Sequence, residues 1–150
     1  MTDFRKVARR MDRIPAGTIL RLGGMTDCFQ PAECRYHVTR ETIRMMNDRG
    51  IGYLIVTKSA LVAEDEYMSL LDPHLAHIQI SVTSTNDAQA WTYEQASPPS
   101  ARIAAIEKLA TAGFDVSLRL SPYIPQYIDY SVLNAVRCRK ILVEFLRVNT

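Results

Sequence analysis

The residues of this chain best suited to chemistry follow directly after short apolar runs. Gly23-Gly24-Met25-Thr26-Asp27 follows the run TILRL (Thr18 to Leu22), and Thr57-Lys58-Ser59 ends IGYLIVT. Thr83-Ser84 ends HIQISVT, and Ser121-Pro122 follows FDVSLRL. Gly23 and Gly24 leave backbone N–H and C=O groups open to close approach by a ligand. Lys58 offers a point cation to a carboxylate, and Ser59 and Ser84 offer hydroxyls. Each of these residues alone reads first as a turn former, because Gly, Ser, Thr and Asp dominate such loops; it is their coincidence on one rim that points to a ligand site. Arg119 is different: it lies between Leu118 and Leu120 inside an apolar run and must point away from them. A buried guanidinium needs an acidic partner or a ligand anion. Glu144 is the candidate partner, and both readings stay open.

The thiols and imidazoles give no metal site. Cys28 and Cys34 are separated by five residues and Cys138 is remote, a spacing that fits neither a zinc pair nor an iron–sulfur run. An odd thiol count without regular spacing also argues against a disulfide framework and fits a reducing compartment. His37, His74 and His77 lack ligand spacing and read as structural or surface residues.

The elements that position these residues alternate regularly. A helix is expected over Phe4 to Arg13, then a strand over Thr18 to Leu22. A helix from Thr39, as its N-cap, to Arg49 is closed by Gly50. Ile51 to Thr57 is apolar without alternation, which predicts a strand covered on both faces. A helix over Ala63 to Leu71 stops at Asp72-Pro73. His77 to Thr83 alternates as a strand, and Ser100 is expected to cap a helix that ends at Gly113. Phe114 to Leu120 and Lys140 to Leu146 complete the strands, with a helical turn at Val132 to Val136 between them. Helical crossovers of this length require parallel pairing with right-handed connections. The expected fold is therefore α/β, a partial (β/α) barrel of five parallel strands with outer helices, forming one domain over residues 1–150. In such a sheet, ligands bind at the C-terminal strand ends, where the four polar loops coincide.

Composition sets the outer bounds. A chain of 150 residues, 47% hydrophobic with net charge +2, suits a globular core. Its basic excess gathers at Arg5, Lys6, Arg9, Arg10 and Arg13, too local to mark a nucleic-acid interface. No apolar run approaches the roughly 20 residues that span a bilayer. The start, Met1-Thr2-Asp3-Phe4-Arg5, has no signal-peptide core, so the expected location is cytoplasmic.

The run Gly24-Met25-Thr26-Asp27-Cys28-Phe29-Gln30-Pro31-Ala32-Glu33 resembles the T-D-P-Y-Q-P-x-E signature of radical S-adenosylmethionine proteins related to spore photoproduct lyase. The likeness continues through Thr57-Lys58-Ser59, Tyr93-Glu94, Ser97-Pro98, Arg102, Arg119 to Pro125, and Leu142 to Arg147. It implies an S-adenosylmethionine site in which Gly23 and Gly24 meet the methionine amino group. Lys58 or Ser59 would meet its carboxylate, Ser84 the ribose, and Pro125 would flank the adenine; Thr26 and Asp27 belong to the signature itself. In that family a three-cysteine loop after the first strand holds a 4Fe–4S cluster, and the loop's counterpart would precede Phe4. Cys28 stands where the family has proline, and Gln95 and Gln126 replace a proline and a glycine. The resemblance thus implies the core fragment of a lyase-like radical enzyme, without a cluster of its own and inactive alone. Catalytic residues are not assigned, and nucleic acid as a partner rests on the likeness only. The alternative is a noncatalytic partial barrel whose open sheet edges associate with a second copy or a partner segment.

Overall fold

The computed structural model describes residues 3–15 and 17–145. The first half runs α1 (Phe4–Met11), β1 (Ile19–Leu22), α2 (Glu33–Tyr36), α3 (Val38–Asn47), β2 (Gly52–Thr57) and α4 (Asp65–Met68). The second runs β3 (Ala76–Ser81), α5 (Asp87–Trp91), α6 (Pro99–Thr111), β4 (Asp115–Tyr123), α7 (Tyr130–Ala135) and β5 (Ile141–Phe145). All five strands pair in parallel in the order β1-β2-β3-β4-β5. The fold is α/β, a sequentially ordered parallel sheet with flanking helices. Among the described residues, no helix is long and apolar enough to cross a membrane.

Strand alternation divides the sheet into two unlike faces. Tyr53 and Ile55 of β2, Ala76, Ile78 and Ile80 of β3, and Val116, Leu118 and Leu120 of β4 all enter one core. Helices fill it from the other side with Ile43 and Met46 of α3 and Ile106 and Leu109 of α6. Met11 of α1 and Tyr67 of α4 extend it. The intervening strand residues, among them Arg21, Leu54, His77, Gln79, Asp115, Ser117 and Arg119, lie on the opposite face and outside this core. Val56 belongs with them: it is buried yet no part of that cluster.

Several local expectations shift for identifiable reasons. Thr39 does not cap α3. His37, in the left-handed region at φ 49°, is the N-cap residue, and the free amides of Thr39 and Arg40 donate to the Glu33 carboxylate at 2.8 and 2.9 Å. An anion at a helix N-terminus satisfies these orphan donors better than a hydroxyl does. Ser100 does not cap α6 either. Pro98 takes that position with Pro99 in the first turn, where its missing N–H costs nothing. Ser100 instead binds Asp87 through its N–H (2.9 Å) and its hydroxyl (2.5 Å). The helix expected over Ala63 to Leu71 is a 3-10 turn at Ala60–Ala63 followed by the short α4. The fourth strand runs on to Tyr123 through a register shift between Leu120 and Tyr123. Leu146, expected to end the last strand, and Arg147 of the resemblance lie outside the described residues.

Candidate functional site at the strand ends

Asp27 fixes the loop after β1. Its carboxylate accepts from Phe29 N–H (2.9 Å), from the Thr57 hydroxyl (2.7 Å) and from Lys58 N–H (2.7 Å). One acidic side chain thus ties residues 23–29 to the C-terminal end of β2. Gly23 makes the turn possible: its φ is 87°, and a Cβ there would collide with the Val56 carbonyl oxygen. Gly24 is the reverse case, exposed and with no heavy atom within 4 Å of where a Cβ would stand. Met25 and Thr26 are exposed beside it.

A second network starts at Lys58. Its ammonium pairs with Glu94 at 2.7 Å, and Glu94 also receives the Thr83 hydroxyl at 2.9 Å. The other partner of Glu94 is Arg102, whose guanidinium is 0% exposed. Arg102 further donates to the Ser97 carbonyl at 2.5 Å and the Ser81 carbonyl at 2.9 Å. The Ser97 hydroxyl accepts from Ala60 N–H at 2.9 Å. Burial pushes the Glu94 carboxyl up, but the hydrogen bonds and charges of Lys58 and Arg102 outweigh it and leave the group below the usual carboxylate range.

Two grooves flank the Asp27 loop. One of about 1130 Å³ is bounded by Gly23, Gly24, Thr26, Asp27, Arg35 and Tyr36, with Phe4 at its edge. The other, of about 580 Å³, is bounded by Gln30, Cys34, Lys58, Ser59, Trp91 and Glu94. The sequence-designated residues therefore divide. Gly23, Gly24, Thr26, Asp27, Lys58 and Ser59 gather around one loop. Ser59 uses its hydroxyl to accept from Leu61 N–H at 3.3 Å. Ser84 is 0% exposed, its hydroxyl donating to Gln89 Oε1 (2.8 Å) and accepting from Asn86 N–H (3.0 Å), so it braces the loop after β3. Arg119 pairs with Glu144 on β5, which also accepts from the Ser121 hydroxyl at 2.7 Å. Pro125, exposed, opens the 3-10 turn Pro125–Tyr127.

In the sequence, Glu94 and Arg102 had no role beyond the likeness, and nothing marked Thr83 and Ser97 as completing their network. The signal for Arg102 was present: a cation three residues into a helix whose apolar face carries Ile106 and Leu109. Among the described residues, no three His, Cys, Asp or Glu side chains stand together as metal ligands. Desolvation, with the nearby Asp27 charge, pushes the Cys28 thiol up to about 12, which opposes the thiolate a metal would need. This donor set does not fit an iron–sulfur cluster. The chain matches no family model, no curated protein and no solved structure.

Proposed function

We propose that this chain is the core of a radical S-adenosylmethionine-type partial (β/α) barrel, with the S-adenosylmethionine site at the loop after β1. The observation that carries the reading is the convergence of separated sequence elements on one rim. Residues of the Gly24 to Glu33 signature, Thr57-Lys58, Glu94, Ser97 and Arg102 are far apart in the chain, yet they are joined through Asp27 and Glu94. The apolar core on one face of the sheet and its sequential strand order support the partial barrel, since right-handed crossovers made in one direction put every helix on one side.

The residues present fit the S-adenosylmethionine part of that chemistry. Gly24 gives bare backbone toward the larger groove, and Thr26 adds a hydroxyl. Lys58, anchored by Glu94 at one of its three donors, keeps donors for a carboxylate. When bound to a reduced cluster, S-adenosylmethionine supplies a carbon radical for hydrogen abstraction. The thiols described here do not hold such a cluster, so no radical step is assigned to this chain. Its own residues bind and orient: Asp27 holds the loop, and Glu94 aims Lys58.

Calorimetric titration with S-adenosylhomocysteine, which keeps the adenosyl and amino-acid groups, tests the reading. Saturable binding that Lys58→Met weakens about tenfold or more is expected, from loss of a charge-assisted contact worth about 1.5–3 kcal/mol. Absence of binding by the folded protein contradicts it.

A second reading has an observation of its own. Ile141, Leu142, Val143 and Phe145 are 42–71% exposed, so both faces of β5 are bare. A noncatalytic partial barrel that pairs this strand with another chain accounts for that exposure.

A further inference from the structure

The first helix separates its charge from its apolar residues completely. At 100° per residue, Arg5, Lys6, Arg9 and Arg10 fall within an arc of about 140°, and Phe4, Val7, Ala8 and Met11 take the other side. The apolar side faces the protein: Met11 is buried, Val7 packs against the core, and α1 lies on α3. The four cations are all exposed. Arg13, also exposed, extends their face in the turn after α1, where its N–H bonds the Arg10 carbonyl at 3.2 Å. Among the described residues, Lys6 has a loose 3.8 Å pairing with Asp3, and the guanidiniums of Arg5, Arg9, Arg10 and Arg13 meet no carboxylate. Helix stability does not explain this pattern. Arg5 and Lys6 stand in the first turn, where the macrodipole favours anions, and no acidic residue stands with them there. Arg5 with Arg9, and Lys6 with Arg10, are like-charge pairs at i,i+4, which weaken a helix. A face that local energetics disfavours, and that no part of the protein covers, fits an anionic partner.

The surroundings of α1 say which kind. Residues 3–13 carry five cations and two carboxylates, whereas the rest of the chain carries 13 cations and 14 carboxylates. On neighbouring α3 and just beyond it the arginines are matched, Arg40 by Glu66, Arg44 by Glu41 and Arg49 by Asp12. The positive field is therefore one helix wide. Nucleic-acid sites track the backbone with a longer stripe of cations or add aromatic rings for stacking, and the cationic side of α1 holds no aromatic. A bilayer surface asks less: it is planar, and a single exposed cationic face suffices to adsorb on anionic headgroups. Guanidiniums suit those headgroups, since two N–H groups match two phosphate oxygens. Lys6, Arg9, Arg10 and Arg13 also border, with Val7, a shallow depression of about 400 Å³ open to one such headgroup. We infer that the cationic face of α1 is a docking surface for an anionic phospholipid bilayer, held at headgroup depth with no segment crossing it. None of its cations belongs to the loop after β1 or the end of β2, so it stands or falls independently of S-adenosylmethionine binding.

Cosedimentation of the whole chain with vesicles tests it, comparing pure phosphatidylcholine with phosphatidylcholine containing about one third phosphatidylserine. At low salt the anionic vesicles should bind at least about a hundredfold better, at about fivefold per cation, and added salt should reverse it. Arg9→Gln should lose about fivefold, and Arg5→Gln/Arg9→Gln/Arg10→Gln about a hundredfold. Glutamine keeps helix propensity and removes repulsion, so circular dichroism should show both variants melting no lower than the parent. The single variant keeps the test usable if the triple one misfolds. Equal binding to both vesicles, no binding to either, or binding that the folded variants retain overturns the inference. So does a duplex oligonucleotide that, at equal phosphate concentration, binds more tightly through the same arginines.

Discussion

At the scale of single residues, the two glycines of the first loop make opposite demands. Gly23 combines φ 87° with a clash between any Cβ and the Val56 carbonyl, while Gly24 faces open space. Gly23→Ala should cost about 2–4 kcal/mol, the range for a backbone-strain and steric conflict together. Gly24→Ala should stay within about 0.5 kcal/mol of the parent, as a surface change does. Urea unfolding of the two variants checks this, and equal costs for both would contradict the loop geometry. The sequence made both glycines visible as candidates but could not separate them, because the difference depends on where the β2 backbone passes. The same holds for Asp27. Its type and place were legible; its bonds to Thr57 and Lys58, 30 and 31 residues on, were not.

At the scale of elements, strand identity and order were readable because apolar runs with helical crossovers between them leave little choice but a parallel sheet. Helix starts were less so. Thr39 and Ser100 are both plausible caps by type, yet His37 is the N-cap of α3, with the Glu33 carboxylate taking its free amides from across the loop, and Pro98 is that of α6 through its fixed φ. The polar residues on the sheet face opposite the core are legible in the sequence. HIQISVT puts Gln79 and Ser81 opposite Ile78 and Ile80, and FDVSLRL puts Ser117 and Arg119 opposite Val116 and Leu118. The bare β5 strand leads to a direct expectation: the chain self-associates as concentration rises, and Val143→Lys, which places a charge on that strand, shifts it toward monomer. Light scattering over a concentration series reads both, and a parent that stays monomeric throughout removes the idea.

At the scale of the whole molecule, the Glu94 network joins the ends of β2 and β3, the loop before α6, and α6 itself. Breaking it leaves Arg102 buried without its anion, so Glu94→Ala should lose about 3–5 kcal/mol. The pH dependence follows from the sign of the shifts. Glu94, Asp87 and Asp115 all sit below their ordinary values when folded, Glu94 against its own burial through Lys58 and Arg102, Asp87 through Ser100, and Asp115 through Lys140 and His77. Their contribution is therefore complete above the unfolded carboxylate values and disappears as pH falls through the lower folded ones. Melting temperature should be flat from neutral pH down to the carboxylate range, then drop. Glu94→Gln should start lower and drop less, and a parallel curve would exclude Glu94 as a main contributor.

The claim on which the rest depends is that the loop after β1 and the end of β2 form one ligand rim. Backbone amide NMR during titration with S-adenosylhomocysteine addresses it residue by residue. The account predicts saturable shifts concentrated at Gly23 to Asp27 and at Thr57 to Ser59, with the β1 to β4 core amides nearly still. Shifts confined to other surfaces, or none at ligand concentrations well above those of the protein, would contradict it.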